Sequence, residues 1–425
     1  MKLSPRSSQH QDVIRSSAIA FVIRALGAVA GFIATALIAR ELGAEESGYY
    51  FLAFTTVVIL AAVSRMGMDN TVIRFVGSSP EQAMSVFYKS MALAGGASLV
   101  VGVCLYTLAT PVAEHFFKKP QMAGVIEGIA VAVVGVALFT LAANALQGLQ
   151  KVLLSIFVVN IAANGILIAS ILLFNISDAV TLARVFAAAA SVAALSGYVM
   201  LRKNRPRRAA TAISWEALIK SCMPLWIVVI MGQMVQWSGQ FIAGVYMVPE
   251  VVAQLAVAQR TAMLASFVLI AVNLVVAPKF AAMHRNGDMA ALQHLAKMSV
   301  KLIGVMATPV IAIMLIFPGF LMGLFGEGFA GGSTLLQILA VGQFVNAITG
   351  SVGFLLMMCG HEKDMRNITL ISGSLALTLT WWLTAAYGAY GNAIGTAIAV
   401  ATQNLLAVYF VKRRLGFNTL AIWQK

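Results

Sequence analysis

LGAVAGFIATALIARELGAEESGYYFLAF, residues 26–54, carries the fold in one line. An apolar run ends at Arg40 and Glu41, Gly43 follows, Glu45 and Glu46 complete a short charged turn, and a second apolar run starts at Tyr49. A helix needs about 20 apolar residues to cross a bilayer, so the stretch reads as two spans joined by a tight turn. The rest of the chain continues in that style. Of 425 residues, 60% are hydrophobic and 10% charged, whereas a soluble domain is about one quarter charged. No large extramembrane catalytic domain fits in what remains. The 35 Gly suit helices packed closely in lipid, and no stretch alternates with the period of two that an outer-membrane barrel shows.

Apolar runs punctuated by charges, Pro and Gly predict an all-α integral membrane protein with twelve spans. They fall near 17–39, 48–68, 88–109, 124–146, 151–173 and 181–201, then near 219–245, 251–277, 298–320, 334–358, 367–388 and 390–411. With the N-terminus placed in the cytoplasm, 23 of the 29 Lys and Arg fall on the inner side and four on the outer. The positive-inside rule therefore sets both termini in the cytoplasm. The formal charge of +14 reflects this topology and not a nucleic-acid partner. Cys104, Cys222 and Cys359 have no paired spacing and no companion histidines, so neither a disulfide nor a zinc site is expected, and no cofactor. The basic, polar N-terminus leads into a run too long for a signal peptide and is expected to remain as a tail.

LRKNRPRR, residues 201–208, is the one linker-like segment. It divides the chain into an N-terminal six-helix lobe at 1–201, a basic cytoplasmic linker at 202–218, and a C-terminal six-helix lobe with a cytoplasmic tail at 219–425. Because six is even, the lobes share one orientation, related by a pseudo-two-fold axis along the membrane normal, a plan common in alternating-access transporters. Residues 39–54 and 243–260 each join the first and second helix of a half.

Intramembrane polar residues mark candidate sites. Arg24 and Arg260 lie within spans, where an ionised side chain is costly unless it faces water or a partner. No Asp or Glu is central to any span. Two arginines without carboxylates make a net-positive cavity suited to phosphate oxygens; the alternative is that each caps carbonyls or ties helices together. Gln233, Gln236 and Gln240, with Trp237, share one face of the seventh span. That face either lines a sugar path or bonds to a neighbouring helix. Pro224 in the seventh span and Pro309 in the ninth permit kinks, either for gating or static. RMGMDNTVIRF, residues 65–75, holds Arg65, Asp69 and Arg74, either an inner-gate latch or a membrane-boundary cluster. The scattered histidines form no catalytic constellation, and no Walker-type phosphate loop occurs.

The opening at residues 26–54, followed by GMDNTVIRF at 67–75, resembles the start of polysaccharide and O-antigen flippases, the lipid-linked oligosaccharide branch of the multidrug/oligosaccharidyl-lipid/polysaccharide exporter superfamily. A weaker likeness surrounds residues 246–260. The resemblance implies two lobes around a central cavity that opens alternately. It also implies export of a polyprenyl-diphosphate-linked oligosaccharide for O-antigen, capsule or exopolysaccharide synthesis. Arg24 and Arg260 match the place where such flippases keep cavity arginines. The expected partners are that lipid-linked glycan, membrane lipid, Na+ or H+ as coupling ion, and other polysaccharide assembly proteins, in a bacterial inner membrane. The related lipid II flippases usually carry two further helices, so the twelve spans expected here speak against a cell-wall precursor as cargo. A multidrug exporter of the same fold would want buried acidic residues, and a membrane glycan polymerase or ligase would want a large outer loop; neither is present.

Overall fold

At Gly43 the backbone takes φ +72° and ψ −178° in the computed structural model, and the helical stretch Pro5–Ser64 folds back on itself there. That conformation is open to glycine and strained for other residues. Thr35 and Phe51 would stand about 24 Å apart in an unbroken helix, yet both touch the guanidinium of Arg260. A second reversal lies at Gly388, with φ +58° and ψ −138°, inside Glu362–Leu415. Beyond it, a Cβ on Gly395 would stand 2.7 Å from the Cα of Thr380.

The structure describes residues 5–205 and 213–420; the side chains of residues 5–25, Leu274 and Pro278 lie outside the described set. Ten apolar helical stretches are long enough to cross a membrane, and the two reversals raise the spans among the described residues to twelve. We label them α1 (5–42), α2 (44–64), α3 (Pro80–Thr107), α4 (Met122–Gly148), α5 (Val152–Phe174), α6 (Ala179–Asn204), α7 (Trp215–Tyr246), α8 (Pro249–Arg285), α9 (Met289–Ile316), α10 (Glu327–Thr349), α11 (362–387) and α12 (389–415). No strand occurs among the described residues. The chain is a multi-pass, all-α membrane protein.

Several boundaries differ from expectation, and three have a local cause in the chain. The second span stops at Ser64 instead of 68, because Met66 and Gly67 both take positive φ and cannot continue a right-handed helix; a short helix, Met68–Ser78, follows. The tenth stops at Thr349 instead of 358, because Gly350 has φ +72°, and a short helix, Val352–Met358, follows. Helix also takes both ends of the expected linker. α6 runs to Asn204, and α7 starts at Trp215, where the Ser214 hydroxyl accepts the Ala217 N–H at 3.2 Å.

The first and second halves meet along two seams. α2 lies against α7 along its whole length: Trp226 Nε1 donates to the Val63 carbonyl at 2.8 Å near one end, and Gln240 Nε2 donates to the Phe51 carbonyl at 2.9 Å near the other. α1 meets α8 where Arg260 Nη1 donates to Thr35 Oγ1 at 3.1 Å. The face carrying Gly43 is closed by further bonds. Arg40 Nε donates to the Leu324 carbonyl at 2.7 Å, and Gln254 Nε2 to the Gly328 carbonyl at 2.8 Å. A Cβ on Gly48 would overlap the Pro249 carbonyl, so the two hairpin turns are in backbone contact.

Candidate substrate cavity

Hairpin geometry builds the site. Thr35 and Phe51 lie equally far from Gly43 on its two arms, so they sit at one depth, about 12 Å below the turn. α8 starts at Pro249, whose fixed φ suits a first helical turn, and brings Arg260 to that level. The guanidinium stands 4.2 Å from the centroid of Phe51 and 5.2 Å from that of Phe54. Just past Arg260 the helix tightens: Leu264 N–H bonds to the Thr261 carbonyl and Ala265 N–H to that of Ala262, at 3.0 and 3.2 Å.

Arg260 lines a cavity of about 330 Å³ walled by α1, α2, α5, α6, α7 and α8. Thr35, Tyr50, Phe54, Asn160, Asn164, Gln236 and Trp237 share the wall, and among the described residues no carboxylate does. On α5 the helix widens to a π-helical turn at Phe157–Ala162. The two asparagines bond back to their own helix there, Asn160 Nδ2 to the Ile156 carbonyl at 3.3 Å and Asn164 Nδ2 to that of Asn160 at 2.9 Å. Stacking a desolvated guanidinium on a ring contributes about 2 kcal/mol, while a charge at the bilayer centre costs about 3 by the gentlest scale. Thr35 accepts one of its five N–H groups. The other four N–H groups have no hydrogen-bond partner among the described residues, and an anion in the cavity would take them.

The other predicted residues separate into two places. Gln236 and Trp237 line the cavity. Gln240 does not; it is 1% exposed and spends its amide N–H on α2. Gln233 is also outside the wall, its Oε1 buried and without a hydrogen bond. Arg24 is carried on α1, and its side chain lies outside the described residues. Arg65, Asp69, Arg74 and Pro224 stand together at the opposite face from Gly43. Arg65 Nε donates to Asp69 Oδ1 at 2.8 Å, and Asn144 Nδ2 to the same oxygen at 3.0 Å. Arg74 donates to Ser221 Oγ, one turn before Pro224 in α7, which ties the two halves at this face. Close by, a Cβ on Gly67 would overlap the Cys222 carbonyl.

A family comparison decides what kind of chain this is. The family described as "polysaccharide biosynthesis protein" matches residues 13–284, more than half of the chain. The chain belongs to the polysaccharide biosynthesis protein family. No curated protein matches its sequence. Among solved structures, the lipid II flippase MurJ in an inward closed conformation is similar, with TM-score 0.74, 14% identity, and coverage of 93% of this chain and 87% of that one. So is an inward-facing multidrug resistance MATE-family transporter of the MOP superfamily, with TM-score 0.68, 15% identity, and coverage of 93% and 98%. A MOP-superfamily transporter from Pyrococcus furiosus Vc1 (DSM3638), described for a binding pocket of reverse polarity, gives 0.65, 15%, and coverage of 97% and 96%. This member of the family thus has the fold of MOP-superfamily transporters.

Sequence reasoning missed the partners that hold Arg260. Thr35, Phe51 and Phe54 were signalled by their spacing about Gly43, since residues equidistant from a helical reversal face each other. A lysine was missed as well. Lys119, in the segment between α3 and α4, is 8% exposed and donates from Nζ to the carbonyls of Gly244 at 2.6 Å and Phe117 at 3.0 Å. Burial without a carboxylate pushes its ammonium below the ordinary lysine value. It ties the first half to the end of α7 on the Gly43 face.

Proposed function

We propose that this chain is a flippase that moves a polyprenyl-diphosphate-linked oligosaccharide from the cytoplasmic to the outer leaflet of a bacterial inner membrane. The glycan serves synthesis of O-antigen, capsule or exopolysaccharide. The observation that carries this reading is Arg260, stacked on Phe51 and Phe54, in a membrane-embedded cavity that no carboxylate lines among the described residues. A diphosphate matches the forked donors of such an arginine, and membership of the polysaccharide family supplies the glycan. The same charge disfavours a cationic drug as cargo.

In this mechanism both termini are cytoplasmic, so the Gly43 face is the outer one and the sealed state is loaded from the cytoplasm. The diphosphate docks on Arg260 and Arg24, Gln236 and Trp237 meet the glycan, and the polyprenyl tail stays in lipid. The lobes 1–201 and 219–425, joined by the linker 202–218, then rock against each other. Opening outward breaks the bonds of Arg40 to Leu324 and of Lys119 to Gly244. The cluster of Arg65, Asp69 and Arg74, already tied to α7 through Ser221, holds that side of the inner gate through the cycle, and the bend allowed at Pro224 lets the rest of the inner face close. A sodium or proton gradient drives the cycle, with other polysaccharide assembly proteins receiving the product.

The test is translocation of a polyprenyl-diphosphate-linked oligosaccharide in proteoliposomes under imposed sodium or proton gradients, for wild type, Arg24→Ala and Arg260→Ala. Movement in wild type that is lost in both variants, with folding intact, is expected. No movement in wild type, beside efflux of a cationic dye, would transfer the chain to the drug exporters.

A further inference from the structure

Beside the arginine cavity lies a second one, of about 170 Å³, between α7, α8, α10 and α12. The two share Gln236 and Met263 as a common wall. Their chemistry differs. The second cavity is lined by the amides of Gln236, Gln259, Gln343, Asn346, Gln403 and Asn404 and the hydroxyls of Ser266 and Thr396, with no charged residue among those described.

Amides in a membrane helix ordinarily bond across to a neighbour, and part of this set does so. Ser266 Oγ donates to Gln343 Oε1 at 2.7 Å, and Asn346 Nδ2 donates to the same oxygen at 3.1 Å. Two donors on one oxygen leave the Gln343 NH₂ group and the Asn346 carbonyl oxygen without a partner among the described residues. The side-chain amides of Gln236 and Gln403 likewise bond to no described residue. Gln259 Nε2 donates to the Gln236 carbonyl at 2.5 Å and Asn404 Nδ2 to that of Val400 at 2.9 Å. Both donors and acceptors are therefore left around a space that no described charged residue lines. An ion would find no counter-charge there, and an apolar group would leave the groups of Gln236, Gln343, Asn346 and Gln403 that lack partners unpaired at a cost. A polyhydroxylated ring answers both, since each hydroxyl donates once and accepts twice. A space of about 150 Å³ takes a benzene-sized ring, so this one has room for part of a sugar ring, with its substituents reaching into the adjoining cavity across Gln236.

We infer that the second cavity seats one sugar ring, the residue nearest the diphosphate in the lipid-linked glycan held by the first cavity. The adjacency of Gln259 and Arg260 on α8, facing the second and first cavity respectively, sets the order of phosphate and sugar. This deepens the proposed function and rests on it.

The experiment compares binding of two probes to the purified full-length protein in nanodiscs: undecaprenyl diphosphate, and undecaprenyl diphosphate carrying one N-acetylglucosamine. Wild type is expected to bind the sugar-bearing probe about tenfold more tightly, the yield of one to two net hydrogen bonds. Gln343→Leu combined with Asn346→Leu brings that ratio to near one while the bare diphosphate binds as before. Because those two side chains also bond to each other, Gln403→Leu is made separately. Its amide has no partner to orphan, and it is expected to lower the ratio about threefold. Arg260→Met weakens both probes and keeps their ratio. A wild-type ratio of one, or a ratio that survives every amide substitution, overturns the sugar seat. If neither probe binds wild type, the diphosphate reading itself fails, which is a different result.

Discussion

The two cavities share a wall and divide the chemistry. One is organised around a guanidinium stacked on two aromatic rings, with hydroxyl and amide groups around it. Its neighbour has eight amide or hydroxyl side chains and no charged residue among those described. The guanidinium has no carboxylate partner among the described residues, and the contrast matches a ligand that is anionic at one end and polyhydroxylated at the other.

The largest expected effect removes the contrast. Arg260→Met keeps the length and the apolar stem of the side chain and deletes the charge. Translocation of a diphosphate-linked glycan should fall about 100-fold, the loss of two charge-assisted hydrogen bonds, while thermal unfolding in detergent shows unchanged or higher stability, because an uncompensated buried charge has gone. A fall in stability together with activity would return Arg260 to a structural role. Next comes Gln236→Glu, which places a carboxylate in the shared wall beside the arginine. Diphosphate affinity should drop roughly tenfold, the scale of one good hydrogen bond to a charged group, and should recover as the carboxylate is protonated at low pH.

A smaller effect tests the ring stack. Phe51→Leu removes a contact worth about 1–2 kcal/mol, so affinity for undecaprenyl diphosphate should change about fivefold or more, and binding titrations would report it. An unchanged affinity would mean that Thr35 and Phe54 suffice to position the guanidinium. The smallest concerns Lys119, remote from both cavities. Its pKa is lowered by burial in the folded chain, so between that value and the ordinary lysine value the unfolded chain binds more protons. Stability must therefore rise with pH through that alkaline window. The rise should be absent in Lys119→Met, as measured by thermal unfolding across the window.

Much of the fold could be read from composition and punctuation, because a bilayer admits few architectures and twenty-residue apolar runs are hard to mistake. What escaped lay where single backbone angles decide. The positive φ at Met66, Gly67 and Gly350 ended two helices inside apolar sequence that hydropathy would have continued. The site was half legible. Arg260 stood out because charge in lipid is rare, and Gln236 and Trp237 shared its cavity, but Gln240 lay on the same predicted face and was spent on the Phe51 carbonyl. Periodicity places a residue on a face without saying which neighbour that face meets. Thr35, Phe51 and Phe54 became relevant only once the reversal at Gly43 brought both arms to one depth.

The most direct measurement is an experimental structure of the full chain in nanodiscs with undecaprenyl diphosphate carrying one N-acetylglucosamine. The account predicts phosphate oxygens about 3 Å from the Arg260 nitrogens, the distance of a charge-assisted hydrogen bond, and the sugar ring beyond Gln236. A head group bound elsewhere, with Arg260 still stacked on Phe51 and touching no phosphate, would contradict it.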